Sequence, residues 1–298
     1  MKIKNVSRLA AGVCVLFVAG GIAAAQKPVK PIIFAVLSDG TSAEPIAYVN
    51  KGKLEAAVGG DASPNVISAF DKAYYKPGTV YKLIFGGANV GTVTAKSSDP
   101  KAECSKNMGT VTTKSSKVTL KGLVMGLATS APIKSTTGSF RRKPTDAEKA
   151  EMDALAKAEY AKQKLTPKLL HYQNLTAIDV DNDGKPEFVA SYWIEIDKLT
   201  RGLLFFIAQR GSNGKYSIGY REYRTIDQSG LMSGASLKDI DEGTLHELLL
   251  DSYDYDGDGT GEIFTYKQSF EGAGFTVYKR NGSKWAKAFE GSNYHCGF

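Results

Sequence analysis

Histidine, tryptophan and cysteine are scarce in this chain, with 3, 2 and 3 respectively among 298 residues. His171, His246 and His295 show neither a His-x-x-x-His pair nor a glutamate-containing zinc spacing, so each reads as a surface or packing residue. No Gly-x-Ser-x-Gly elbow occurs. The glycine-rich FGGANVG at 85–91 lacks the dinucleotide and P-loop glycine patterns and reads as a turn between strands. No apolar run after residue 25 is long enough to span a membrane. No catalytic constellation is therefore visible. Carboxylate pairs for glycoside hydrolysis stay open, because such pairs meet only in the fold.

The first 26 residues run from Lys2, Lys4 and Arg8 through an uncharged stretch, Leu9–Ala25, to Ala23-Ala24-Ala25 before Gln26. The stretch has 17 residues and three glycines, short against the roughly 20 apolar residues of a membrane span. A cleaved export signal over residues 1–25 is the expectation, with an uncleaved anchor as the alternative. Cys14 has no lipoprotein-type sequence before it. The expected location is then periplasmic or secreted, with no nucleic acid partner. Cys104 and Cys296 remain after cleavage, and in an oxidising compartment an even count permits one disulfide, the alternative being two buried thiols.

Charge divides along the chain. Residues 26–170 carry 22 Lys and Arg against 12 Asp and Glu, whereas residues 171–298 carry 13 against 19. The lysines of the basic part are scattered, as in Lys51, Lys53, Lys72, Lys76, Lys82 and Lys96, in the manner of a solvated surface rather than a binding face.

Strand candidates in the first part are Pro31–Leu37, Pro45–Val49, Val80–Phe85, Val90–Ala95 and Val118–Ala128, separated by turn residues. They predict a β-rich domain over 26–140. A Ser/Thr/Gly/Lys-rich linker is expected over 129–143. Thr145 and Glu148 then form a capping-box pattern, with Met152, Leu155, Ala156 and Tyr160 as one apolar stripe, so 141–170 is read as linker plus amphipathic helix.

From about Leu175 the chain repeats. LTAI leads into DVDNDGKPE and FVASYWIEI, and 75 residues on ELLLDSY leads into DYDGDGTGE and IFTYKQSF. Each copy reads as a strand, an acidic loop and three further strands. Calcium takes six to eight oxygen ligands, which a loop supplies from alternate positions. Asp179, Asp181 and Asp183 stand at positions 1, 3 and 5, the Lys185 carbonyl at 7 and Glu187 at 9. The second loop repeats this with Asp254, Asp256, Asp258, the Thr260 carbonyl and Glu262. Gly184 and Gly259 at position 6 permit the reversal. An EF-hand is excluded, since position 12 is Ala190 or Thr265 instead of glutamate and the flanks read as strands.

The pattern resembles the FG-GAP or VCBS repeat, the calcium-bearing blade unit of integrin-α-like β-propellers, in which positions 1, 3, 5 and 9 bind the ion between two strands. The resemblance implies Asp179, Asp181, Asp183 and Glu187, then Asp254, Asp256, Asp258 and Glu262, as ligands of about two calcium ions. Glutamate replaces the family's usual aspartate at position 9. A propeller closes with at least four blades, and two copies cover about 115 residues. The expected fold is thus mainly β: an N-terminal β-rich domain, a linking helix, and over 171–298 two blade repeats forming a partial propeller or open sheet stack. The expected function is a non-catalytic, exported calcium-binding protein that binds another protein or a cell-surface glycan. An extracytoplasmic hydrolase is the alternative, and Tyr253, Tyr255, Trp193 and Trp285 are candidates for a sugar-binding surface.

Overall fold

The computed structural model describes residues 29–133 and 140–296. The expected export signal and the middle of the expected linker, residues 134–139, lie outside them. The protein is mainly antiparallel β. Seven strands build the first half: β1 (Ile32–Leu37), β2 (Ser42–Asn50), β3 (Lys53–Ala56), β4 (Val80–Phe85), β5 (Ala88–Ser98), β6 (Gly109–Ser115) and β7 (Gly126–Thr129). They follow the order β1-β7-β4-β5-β6-β2, and β1 also pairs with β2, so six strands close into a barrel with β3 added at its side.

All six residues of β1 are buried because both of its faces are covered. Ile32, Phe34 and Val36 point into the barrel, and Ile33, Ala35 and Leu37 point outward into a second core, as strand alternation dictates. The barrel interior is finished by α1 (Pro64–Tyr74), which inserts Phe70 and Tyr74 beside Phe34. Sequence reading missed this helix, although Pro64 at its first position and Ile67, Phe70 and Tyr74 on one face are ordinary helix signals. β3 and β6 were missed as well. The strand expected over Val118–Ala128 shrinks to β7, because Gly122 takes a left-handed φ of 59° and turns the chain.

Arg141–Arg142 forms β8, a two-residue strand where linker was expected. The capping box opens α2 (Asp146–Lys162) as read: Thr145 N–H donates to Glu148 at 2.8 Å and Glu148 N–H donates back to the threonine hydroxyl. Arg142 adds two bonds to the same carboxylate, at 2.7 and 2.8 Å. Met152, Ala156 and Tyr160 bury the inner stripe of α2.

That stripe covers the first of two four-stranded meanders, β9 (His171–Ile178), β10 (Glu187–Asp197), β11 (Thr200–Arg210) and β12 (Tyr216–Asp227), to which β8 adds an edge. After the short α3 (Leu237–Asp241) comes the second meander: β13 (Leu248–Tyr253), β14 (Glu262–Gln268), β15 (Gly272–Asn281) and β16 (Lys284–Tyr294). Val189, Phe205 and Ile207 of the first sheet pack on Leu249, Ile263 and Tyr278 of the second. The second sheet's other face, including Leu248, Leu250 and Phe275, packs on the outside of β1. The layers therefore run α2, first meander, second meander, barrel.

Two polar joints tie the barrel to the second meander. Asp251 is fully buried and accepts from Gly86 N–H (3.0 Å), Gly87 N–H (2.9 Å) and the Arg141 guanidinium (2.9 Å). At the chain's end, Asn293 and His295 both donate to buried Glu44 of β2 (2.8 and 2.7 Å), and Cys104 is disulfide-bonded to Cys296. Among the described residues no helix is long and apolar enough to cross a membrane.

Candidate metal centre

Each acidic loop is the connection between the first two strands of its meander, β9–β10 and β13–β14. Within each loop the side chains divide their work in the same way. The carboxylate at position 1 holds the turn: Asp179 accepts from Asp183 N–H (3.2 Å) and Gly184 N–H (2.9 Å). Asp254 does the same for Asp258 N–H (3.1 Å) and Gly259 N–H (3.1 Å). Position 5 caps position 7, with Asp183 accepting from Lys185 N–H (2.7 Å) and Asp258 from Thr260 N–H (2.9 Å). The glutamate at position 9 begins the following strand and reaches back to position 2, Glu187 to Val180 N–H (3.3 Å) and Glu262 to Tyr255 N–H (3.4 Å).

This wiring brings positions 1, 3 and 9 together. Asp179, Asp181 and Glu187 place one carboxylate oxygen each within 4.8 Å of one another, and Asp254, Asp256 and Glu262 do the same. Asp183, Lys185, Asp258 and Thr260 lie along the turns outside these triplets; Lys185 extends its side chain to solvent. The turn glycines are needed where they stand, with φ of 79° at Gly184 and 94° at Gly259. The loops abut, Gly261 N–H donating to the Val180 carbonyl at 2.7 Å.

The donor set fits a hard cation. All six converging side chains offer carboxylate oxygen, which suits calcium or magnesium rather than the nitrogen- and sulfur-seeking metals. Asp181 Oδ1 is buried with no hydrogen-bond partner, an acceptor left over by the protein's own bonding. Burial raises Glu187 to about 7, although Arg280 is close by. Glu262 is likewise raised to about 7 by burial, which outweighs its hydrogen bond to Lys279. The lysine itself, lowered by burial, is carried upward by its bonds to Asp256, Asp258 and Glu262. Both glutamates thus carry a desolvation cost that a bound cation would relieve.

The other residues singled out in the sequence belong to packing. Tyr253 and Trp285 are buried, Tyr255 packs against the core shared with the barrel, and Trp193 is stacked under His171 at 4.1 Å, so these four form no sugar-binding surface. His246 is buried beside Ser191. A groove of about 520 Å³ separates the barrel from the first meander, and Asp146 is the one carboxylate that lines it. Sequence reasoning did not find Lys279 and Arg280, adjacent on β15, which contact the loops: Lys279 bonds Asp256, Asp258 (2.7 Å) and Glu262 (3.1 Å), and Arg280 bonds Asp181 and Glu187 (3.1 Å). Neither lies near loop one in sequence, and no spacing rule links them to it. No protein-family model, curated protein or solved structure matches this chain.

Proposed function

We propose that the two loops bind calcium and that the chain is an exported, non-catalytic protein whose FG-GAP/VCBS-like repeats are held by that metal while they bind another protein or a cell-surface glycan. The observation that carries this reading is the duplicated wiring. Two loops 75 residues apart converge the same three positions and use their backbone N–H groups alike. Chance acidic turns have no reason to agree in both respects.

Asp179, Asp181 and Glu187 would hold one ion and Asp254, Asp256 and Glu262 the other, with Asp183, Asp258 and the carbonyls of Lys185 and Thr260 as further oxygen donors. The metal would supply charge compensation for carboxylates that the fold has taken out of water. The stack of two meanders against a barrel supports a partial assembly of blade units rather than a closed propeller. Glycoside hydrolysis ordinarily uses a pair of carboxylates flanking the scissile bond. The groove between the barrel and the first meander is lined by one carboxylate, Asp146, and so does not supply such a pair.

Calorimetric titration of chelator-stripped protein should give about two calcium ions per chain, with dissociation constants in the range of extracellular modules, roughly 10⁻⁴ to 10⁻³ M. Chelation should lower the melting temperature, since a ligand selective for the folded state stabilises it by mass action. No binding heat together with no chelator effect refutes the reading.

A further inference from the structure

Just before its last residue, Asn281, β15 carries two consecutive cations, Lys279 and Arg280. Successive strand residues point to opposite faces of a sheet, and here the two faces have different neighbours. Val277 and Lys279 share the side that meets the barrel; Tyr278 and Arg280 share the side that meets the first meander. The second loop curls over the barrel side, where Asp256 approaches Gly52 of the β2–β3 turn. The first loop lies on the opposite side. One strand tip thus sends one cation into each cluster.

Their seating is intimate. The Lys279 ammonium bonds three carboxylates of one loop, Asp256, Asp258 and Glu262. The Arg280 guanidinium forks across Asp181 and Glu187 of the other. Four of these five carboxylates belong to the converging triplets. An oxygen that accepts a short hydrogen bond from a side-chain cation has a lone pair committed to it, and a metal approaching that oxygen meets a like charge.

We propose that Lys279 and Arg280 are tethered counter-cations that compete with the metal for these carboxylates, Lys279 setting the affinity of the Asp254–Glu262 loop and Arg280 that of the Asp179–Glu187 loop. This rests on the calcium reading of the loops. It goes beyond that reading in assigning affinity control to residues outside both loops. The two competitors are unequal in kind. Lysine is a compact charge on a flexible stem that swings into water, whereas arginine's planar fork makes a bidentate bridge that is harder to displace. The Arg280 side chain is also the less exposed, 21% against 35% for Lys279. The first loop is therefore the weaker calcium site of the two.

The test is calcium titration of the full mature chain, read by calorimetry with a two-site fit. Lys279→Gln should tighten one site about two- to fivefold, the scale of partly exposed ion pairs, and leave the other unchanged. Arg280→Gln should tighten the other site. In chelator both variants should melt below wild type, because their carboxylates lose their internal counter-charge, and calcium should restore them. Arg280→Lys retains the charge and guards against simple misfolding; it should tighten its site while keeping the wild-type melting temperature in chelator. Calcium binding by wild type that weakens or stays unchanged in Lys279→Gln and Arg280→Gln overturns the competition and leaves the calcium reading standing. Absence of calcium binding in wild type and all three variants overturns the calcium reading and this inference with it.

Discussion

Converting Asp181 to Asn, beside Asp179→Asn and Gly184→Val in the same loop, separates metal binding from acidity. Asp179 accepts two backbone N–H groups and so builds the turn, whereas Asp181 accepts no backbone N–H, bonds the Arg280 guanidinium through one oxygen and leaves Oδ1 unpartnered. Asp181→Asn keeps an oxygen for Arg280 and gives up only the charge of that partly exposed pair, so it should lower stability in chelator by less than about 1 kcal/mol. In calcium the picture differs. At a free concentration about 100 times the dissociation constant, each site adds about 2.7 kcal/mol, which for a chain of this size is roughly 5–11 °C in melting temperature. Asp181→Asn should lose most of that increment for its loop, and Asp256→Asn should do so for the other. Asp179→Asn turns an amide NH₂ toward an N–H that needs an acceptor, at a cost of about 1–3 kcal/mol with or without metal. Nothing lies within 4 Å of a Cβ built on Gly184, so Gly184→Val costs backbone strain alone, about 1–2 kcal/mol in both conditions. Scanning calorimetry of each variant in chelator and in calcium reads all of these. If Asp181→Asn lowers melting equally in the two buffers, the carboxylate acts through protein contacts and the metal assignment is wrong.

Two further outcomes concern the frame around the loops. Asp251→Ala should cost about 3–5 kcal/mol in urea denaturation, because it leaves the Arg141 guanidinium buried without its partner and strips an acceptor from Gly86 and Gly87; a loss below about 1 kcal/mol contradicts this. Burial lowers His246 to about 4, with Arg224 adding to the effect and Asp241 opposing it. Its folded value lies below the unfolded one near 6.5, so the unfolded chain takes up the proton first and stability drops as pH falls from about 6.5 to 4, by about 3 kcal/mol. Glu187 and Glu262, with raised values, pull in the opposite sense over part of that range. The check is accordingly the difference in denaturation free energy between wild type and His246→Gln, which should narrow steadily with acidification; a difference independent of pH refutes it.

The acidic loops and their flanking strands were legible because a period-two run of aspartates with glycine at position six is local information, and so was α2, whose cap lies within four residues. The barrel was not. Its closure depends on β1 meeting both β2 and β7, pairings that no local pattern encodes, and on β6, where GTVTTKS alternates small and polar residues too weakly to read as half-buried. α1 was legible and was passed over, its Ser63-Pro64 start lying in a stretch read as strands and turns. Of the aromatic residues offered as a sugar surface, Tyr253 and Trp285 are core and Tyr255 and Trp193 pack half-buried at cluster margins, because each meander is covered on both faces, which a sequence of one sheet does not reveal. Lys279 and Arg280 stayed hidden for the same reason: their role arises from the sheet on either side of them.

The two-sided burial of β1 has a consequence in time. Ile33, Ala35 and Leu37 are covered by residues of the 248–277 region, more than 200 positions later in the chain. During synthesis the first strand therefore emerges long before its cover exists, and until then it offers an apolar flank on which foreign strands can settle. Contacts of such sequence separation also slow folding, because a large loop must close before they repay its entropy. Completion of the fold thus waits for the second meander, and a chain cut short before it keeps a barrel whose outer wall is the inner wall of something missing.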